Sequence, residues 1–210
     1  MICLADNDII LKLACCDLLG EALTALEATT DDVYVLGSAV HKLLSPNKPA
    51  RAKVKPGEPE YARLEAFFRA VQVIQAEPSP EESAAFNDVL KIDPGEAILF
   101  AATSAYPEAV VATGDKQSLL ALSSAPSEIC RRVCERIAGR VICFEQTMLR
   151  VIDGSGFDLV LERVVPARQC DIALRAVFGS GLEATEVGVR EGLQSYIGDL
   201  RKRTGKLLLE

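Results

Sequence analysis

Asp6, Glu96 and Asp115 each stand where an apolar run meets a helix start. Asp6 closes Met1-Ile2-Cys3-Leu4-Ala5, and Asp115 closes Ala109-Val110-Val111-Ala112-Thr113-Gly114. Glu96 follows Asp93-Pro94-Gly95 and opens the run Ala97-Ile98-Leu99-Phe100-Ala101-Ala102. Carboxylates are hard oxygen ligands that suit Mg²⁺ or Mn²⁺. Gathered without a cation they repel one another. Around a cation they favour attack of a polarised water on a phosphodiester. Asp6, Glu96 and Asp115 are therefore candidate catalytic residues. The same three, with Asp8 as an auxiliary, are candidate metal ligands. Each has a blander alternative, because an acid in a first helical turn is favoured by the helix dipole without any chemistry.

These residues come together only if the runs before them are parallel strands whose ends share one edge, where ligands collect in open α/β sheets. The pattern supports such a sheet. Strands are expected at residues 1–5, 33–36, 109–113 and 141–144, with a weaker one at 71–74. Helical patterns fill the gaps: Asp8 to Leu19, Glu21 to Ala28, Ser38 to Leu44, Glu58 to Ala70, Pro80 to about Leu90, Pro94 to near Tyr106, a run from Asp115, Pro126 to Ile137, and Gln146 to Ile152. Residues 45–57 contain three prolines and a glycine and read as a loop. Alternating strands and helices predict an α/β fold with a parallel sheet and helices on both faces. Gly154-Ser155-Gly156 marks a break, and residues 153–210 read as a helical C-terminal extension of the domain at 1–152.

Composition narrows the function classes. The chain has 210 residues, 49% of them hydrophobic, and a formal net charge of −7, which disfavours non-specific nucleic-acid binding by the whole surface. No apolar run reaches the roughly 18 residues of a membrane span. The N-terminus lacks the basic start and cleavage pattern of a signal peptide, so a cytoplasmic location is expected. Seven cysteines without a Cys-x-x-Cys pair are expected to be reduced core residues, with Cys130 and Cys134 one helical turn apart. With His41 as the one histidine, a zinc site would have to be mostly thiolate.

The order of these segments resembles the PIN domain family. The matching segments are Ile2-Cys3-Leu4-Ala5-Asp6-Asn7-Asp8-Ile9-Ile10, Asp93-Pro94-Gly95-Glu96-Ala97-Ile98, Val110-Val111-Ala112-Thr113-Gly114-Asp115-Lys116 and Gly139-Arg140-Val141-Ile142-Cys143-Phe144. The resemblance covers roughly residues 1–152 by strand count. It implies a PIN-like fold and a Mg²⁺- or Mn²⁺-dependent ribonuclease, often the toxin of a toxin–antitoxin pair, with RNA as substrate and an antitoxin protein as partner. One position departs from the pattern. The family carries a further acid in the helix after the second strand, where this chain has His41 and Lys42. The alternative reading is accordingly a catalytically degenerate PIN-like module that binds RNA or a protein.

Basic residues provide the candidate RNA contacts. Lys48, Arg51 and Lys53 lie in an acid-free stretch from Lys42 to Lys55, and Lys116 adjoins Asp115. Arg201-Lys202-Arg203 either contacts RNA or complements a helix C-terminus. Val189, Leu193, Tyr196 and Leu200, flanked by Gly188 and Gly192, form a stripe suited to a seam with a second subunit or to packing on the chain itself.

Overall fold

The computed structural model describes residues 1–44 and 58–210. Lys48, Arg51 and Lys53, and the loop expected at 45–57, lie outside the described residues. Five strands, β1 (Cys3–Ala5), β2 (Val33–Val35), β3 (Gln72–Val73), β4 (Val110–Thr113) and β5 (Val141–Cys143), form one parallel sheet in the order β3-β2-β1-β4-β5. Strands β1, β4 and β5 are buried at every residue, which is why they read as unbroken apolar runs rather than alternating ones. β3 is exposed at one edge and only two residues long, so its sequence signal is weak.

The helices are α1 (Asn7–Cys15), α2 (Leu19–Ala25), α3 (Ala39–Leu44), α4 (Pro59–Ala70), α5 (Pro80–Asn87), α6 (Pro94–Ala102), α7 (Lys116–Ser124), α8 (Glu128–Arg136), α9 (Phe144–Ser155), α10 (Phe157–Ala167), α11 (Ile172–Val177) and α12 (Glu186–Thr204). Chain order runs outward from β1 to β2 and β3, then returns to β4 and β5. Right-handed crossovers place the helices of these two excursions on opposite faces. The contacts agree: α1, α3 and α4 touch one another, while α5 touches α6 and α8, and α8 touches α7. The expected α/β fold, with a parallel sheet flanked by helices and a helical C-terminal region, is observed.

Several details differ from expectation. The first helix stops at Cys15 because Asp17 takes a left-handed backbone conformation, φ 55°, and α2 restarts at Leu19. α9 begins at Phe144, two residues early, with the Gln146 side chain accepting the Cys143 N–H at 3.2 Å. The expected break at 154–156 contracts to Gly156, whose φ of 87° suits glycine. The tail also forms one bridge, Leu208 with Val141, so the outer edge of β5 is covered.

The C-terminal region shares the core of the sheet. Val160, Val164, Leu174, Phe178, Leu193 and Leu200 belong to the same buried cluster as β1 and β4. This decides how the α12 stripe is used. Val189, Leu193 and Leu200 are buried, Tyr196 is half-buried, and α12 packs on α7, α9 and α11 of its own chain. Gly192 permits the close approach, since a Cβ there would lie 2.8 Å from Val177 Cγ2. The stripe expected as a possible seam to a second subunit is an internal seam. Among the described residues, no helix is long and apolar enough to cross a membrane.

Candidate functional site

The strand order reverses between β1 and β4. In open parallel sheets, the crevice beyond the strand ends at such a reversal is where ligands bind. Asp6 and Asp115 lie just beyond these two strands. The Asp6 N–H donates to Ala112 O at 2.9 Å, which ties the end of β1 to β4. The Thr113 hydroxyl donates to Asp6 Oδ2 at 3.2 Å and accepts the Asp115 N–H at 3.0 Å. One hydroxyl thus joins the two acids.

Asp6 is 7% exposed. Burial, and then the charge of Asp8, push its carboxyl up to about 6, although Thr113 and the N–H groups of Asn7 and Asp8 favour its charge. Asp6 occupies the N-cap position of α1 without making a full side-chain capping bond. Glu96 and Asp115 do make such bonds. Glu96 and Asp93 form a reciprocal box: the Glu96 N–H donates to Asp93 Oδ1 at 2.9 Å, and the Asp93 N–H donates to Glu96 Oε2 at 2.7 Å. Asp115 Oδ1 accepts from the N–H groups of Gln117 and Ser118 at 2.7 and 3.4 Å. The capping alternative therefore holds for two of the three acids.

Capping does not separate them electrostatically. Glu96 is 8% exposed, and burial pushes its carboxyl well above the usual range. The charges of Asp115, Asp93 and Asp6 push it further in the same direction. The three acids singled out from the sequence therefore share one field, and a cation placed among them would relieve it. Their donor set, carboxylate oxygen throughout, fits Mg²⁺ or Mn²⁺. As the side chains stand, no three metal-ligating groups among the described residues are gathered to hold an ion.

Comparisons with protein-family models, with curated proteins and with solved structures give no match. Function has to be argued from the site itself.

Three residues at this edge were not anticipated. Lys12, with its side chain 9% exposed, places Nζ 2.5 Å from Asp8 Oδ2, 2.9 Å from Asp171 Oδ2 and 3.1 Å from Gly114 O. Its ammonium also lies 5.3 Å from the Phe144 ring centroid. Burial alone would favour neutral Lys12, but Asp8 and Asp171 reverse that and hold it charged. Burial would likewise raise the Asp171 carboxyl, and Lys12 holds it below its ordinary range. Asp8, expected as an auxiliary metal ligand, is thus paired with Lys12. Gly114 has to be bare here, since a Cβ would stand 2.5 Å from Asp8 Oδ2.

Glu145 is 1% exposed, just beyond β5, and is ion-paired with Lys116. Lys116, expected as an RNA contact, also lies 4.6 Å from the Tyr196 ring centroid, so its charge is held inward by Glu145 and α12. Where the resemblance leads one to expect another acid, Lys42 Nζ lies 3.4 Å from Asp93 Oδ2, and His41 is exposed. Glu145 could have been found by applying to β5 the rule that singled out Asp6 and Asp115. Lys12 gave one signal, a lone cation in an apolar helix.

Proposed function

We propose that this protein is a PIN-like, Mg²⁺- or Mn²⁺-dependent endoribonuclease of the cytoplasm, acting as the toxin of a toxin–antitoxin pair. The observation that carries the nuclease reading is the placement of Asp6 and Asp115 beside the strand-order reversal, with Glu96 in the field of both. The toxin role and the antitoxin partner rest on the sequence resemblance alone.

Asp6, Glu96 and Asp115 would hold the cation, which when bound supplies Lewis acidity at the scissile phosphate. The protein's own groups do the rest. Where Glu96 does not itself hold the cation, its carboxylate, once the cation's charge draws off the proton that burial favours, would orient a water and accept its proton. Thr113 fixes the spacing of Asp6 and Asp115 through its shared hydroxyl. Gly114 leaves the backbone at the mouth of β4 without a side chain. Lys12 offsets the charge of Asp8, so that the acid cluster does not repel an incoming phosphate with every carboxylate present.

A second reading, a non-catalytic module that binds RNA or a protein, is favoured by a different observation. Lys42 brings a cation to Asp93 where the resemblance calls for an acid. Incubation of the purified protein with structured and unstructured RNA, with and without Mn²⁺, separates the two readings. The nuclease reading expects Mn²⁺-dependent cleavage by the wild type and none by Asp6→Asn. RNA left intact by the wild type, or cut equally by both proteins, overturns it.

A further inference from the structure

A cleft of about 700 Å³ lies between the turn that precedes α6, one face of α7 and the last turn of α12. Both of its longer walls are tied to the candidate acids. Gln117, whose N–H donates to Asp115 Oδ1, starts the α7 wall, and Leu120 and Ser124 continue it at helical spacing. The other wall, Leu90 and Lys91, stands just before Asp93, the capping partner of Glu96. From Gln117 to Ser124 the helix rises about 10 Å, the length of about three stacked bases in one strand.

The Leu90–Lys91 wall is a turn, closed by the Ile92 N–H donating to Val89 O at 3.3 Å. Lys91 holds φ 80° at its third position, a value that turns reserve for glycine. Strain of this kind collects at ligand clamps and active sites. Leu90, beside it, is 89% exposed, an apolar side chain left in solvent at the lip. Among the described residues, Lys91 forms no ion pair. Arg203 lines the cleft from α12 and pairs with Asp199 at 3.5 Å. Arg201 of the same basic cluster is committed elsewhere, donating to Leu209 O at 3.1 Å. The cleft thus carries two cations, Lys91 and Arg203, against one acid, Asp88, on a chain whose net charge is −7.

We propose that this cleft holds the unpaired RNA strand to one side of the scissile phosphate, with Lys91 and Arg203 on its phosphates and Leu90 and Leu120 against its bases. Unpaired bases expose faces that apolar side chains can cover. A duplex hides those faces in its stack and offers phosphates and 2′-hydroxyls instead. The substrate class is therefore single-stranded RNA. The choice of ligand rests on the ribonuclease reading, but the cleft stands apart from the cation and is tested without it.

The test is fluorescence anisotropy with a short end-labelled oligouridylate in EDTA, so that the RNA stays intact whether or not the acids are catalytic. Lys91→Gly and Arg203→Ala are each expected to weaken binding about twofold to fivefold. Each should also lower the slope of log affinity on log salt by about 0.7. Lys202→Ala, outside the cleft, leaves both nearly unchanged. Lys91→Gly further separates binding from folding: it relieves the positive φ, so it melts no lower than the wild type while holding RNA more weakly. The same oligonucleotide annealed to its complement binds more weakly than the single strand. Three outcomes overturn the proposal: a wild type that holds no single-stranded RNA, which would leave the cleft to a protein partner; variants that bind it as tightly as the wild type; or a duplex bound as tightly as the single strand. Failure of the nuclease reading looks different: the single strand is held with the same variant losses but is never cut when Mn²⁺ is added.

Discussion

Asp6 and Asp115 are joined through one hydroxyl. Thr113 Oγ1 donates to Asp6 Oδ2 at 3.2 Å and accepts the Asp115 N–H at 3.0 Å. The acids come from strands far apart in sequence but adjacent in the sheet, where Ala5 pairs with Ala112. Parallel register therefore converts two distant positions into one site.

Burial of Asp6 sets a pH dependence of stability. Its folded-state pKa, about 6, lies above the ordinary 3.8, so the native state keeps a proton that the unfolded chain releases. That stabilisation is fully present below about pH 4 and is lost as pH rises through about 6. A shift of this size corresponds to on the order of 2–3 kcal/mol. Asp6→Asn stays neutral and can still accept from Thr113. Melting curves are expected to show it several degrees more stable than the wild type at pH 8 and equal to it at pH 4. An unchanged difference across that range would mean that Asp6 is not the group responsible.

Gly114→Ala should disturb the site from the backbone side. Its Cβ would crowd Asp8 Oδ2 at 2.5 Å and both Lys12 Nζ and Ile9 N at 3.1 Å. Overpacking of this kind costs about 1–3 kcal/mol. Chemical denaturation should register that loss, and Gly154→Ala, with nothing within 4 Å of the added Cβ, should not.

Lys12 is a buried cation with two carboxylate partners, so removing it leaves uncompensated charge. Lys12→Met is expected to destabilise by about 3–5 kcal/mol. Asp171→Asn retains the cap on Leu174 and, combined with Lys12→Met, should restore a large part of the loss. A double-mutant cycle in urea measures this coupling. Additive losses would show that the two groups do not support each other.

Lys116 and Glu145 invite the same treatment with the burial reversed, because here the carboxylate is the buried member. Lys116→Met should lower the melting temperature more than Glu145→Gln does. Adding Glu145→Gln to Lys116→Met should recover stability. If Lys116 instead faced RNA and served no structural role, Lys116→Met would melt like the wild type.

The sheet was readable in the sequence where strands are buried on both faces. β1, β4 and β5 are unbroken apolar runs, and each stops near a polar residue that matters. The edge strand β3 gave little, since two exposed residues carry almost no pattern. Asp6 and Asp115 stood out because strand ends can be inferred locally, and Glu96 because it opens a helix; that β1 and β4 are neighbours in the sheet is not a local property. The role of Lys12 was not, because one of its partners, Asp171, belongs to the C-terminal region and no local period links them. The α12 stripe was legible as a seam, but an apolar stripe looks the same whether its partner is another chain or α7 and α9 of its own. Lys116 shows the same limit: its type and position fit a phosphate contact, and only the fold shows that buried Glu145 lies beside it.

Mn²⁺ titration by calorimetry at pH 8 tests most directly whether Asp6, Glu96 and Asp115 share one cation. The wild type is expected to bind, and Asp6→Asn and Asp115→Asn should each weaken binding at least about tenfold, or about 1.4 kcal/mol, with circular dichroism unchanged. Affinity should also fall as pH is lowered through 6, because protons compete for the same oxygens. A wild type that takes up no Mn²⁺, or variants that bind it as tightly as the wild type, would contradict a shared metal site at the strand ends.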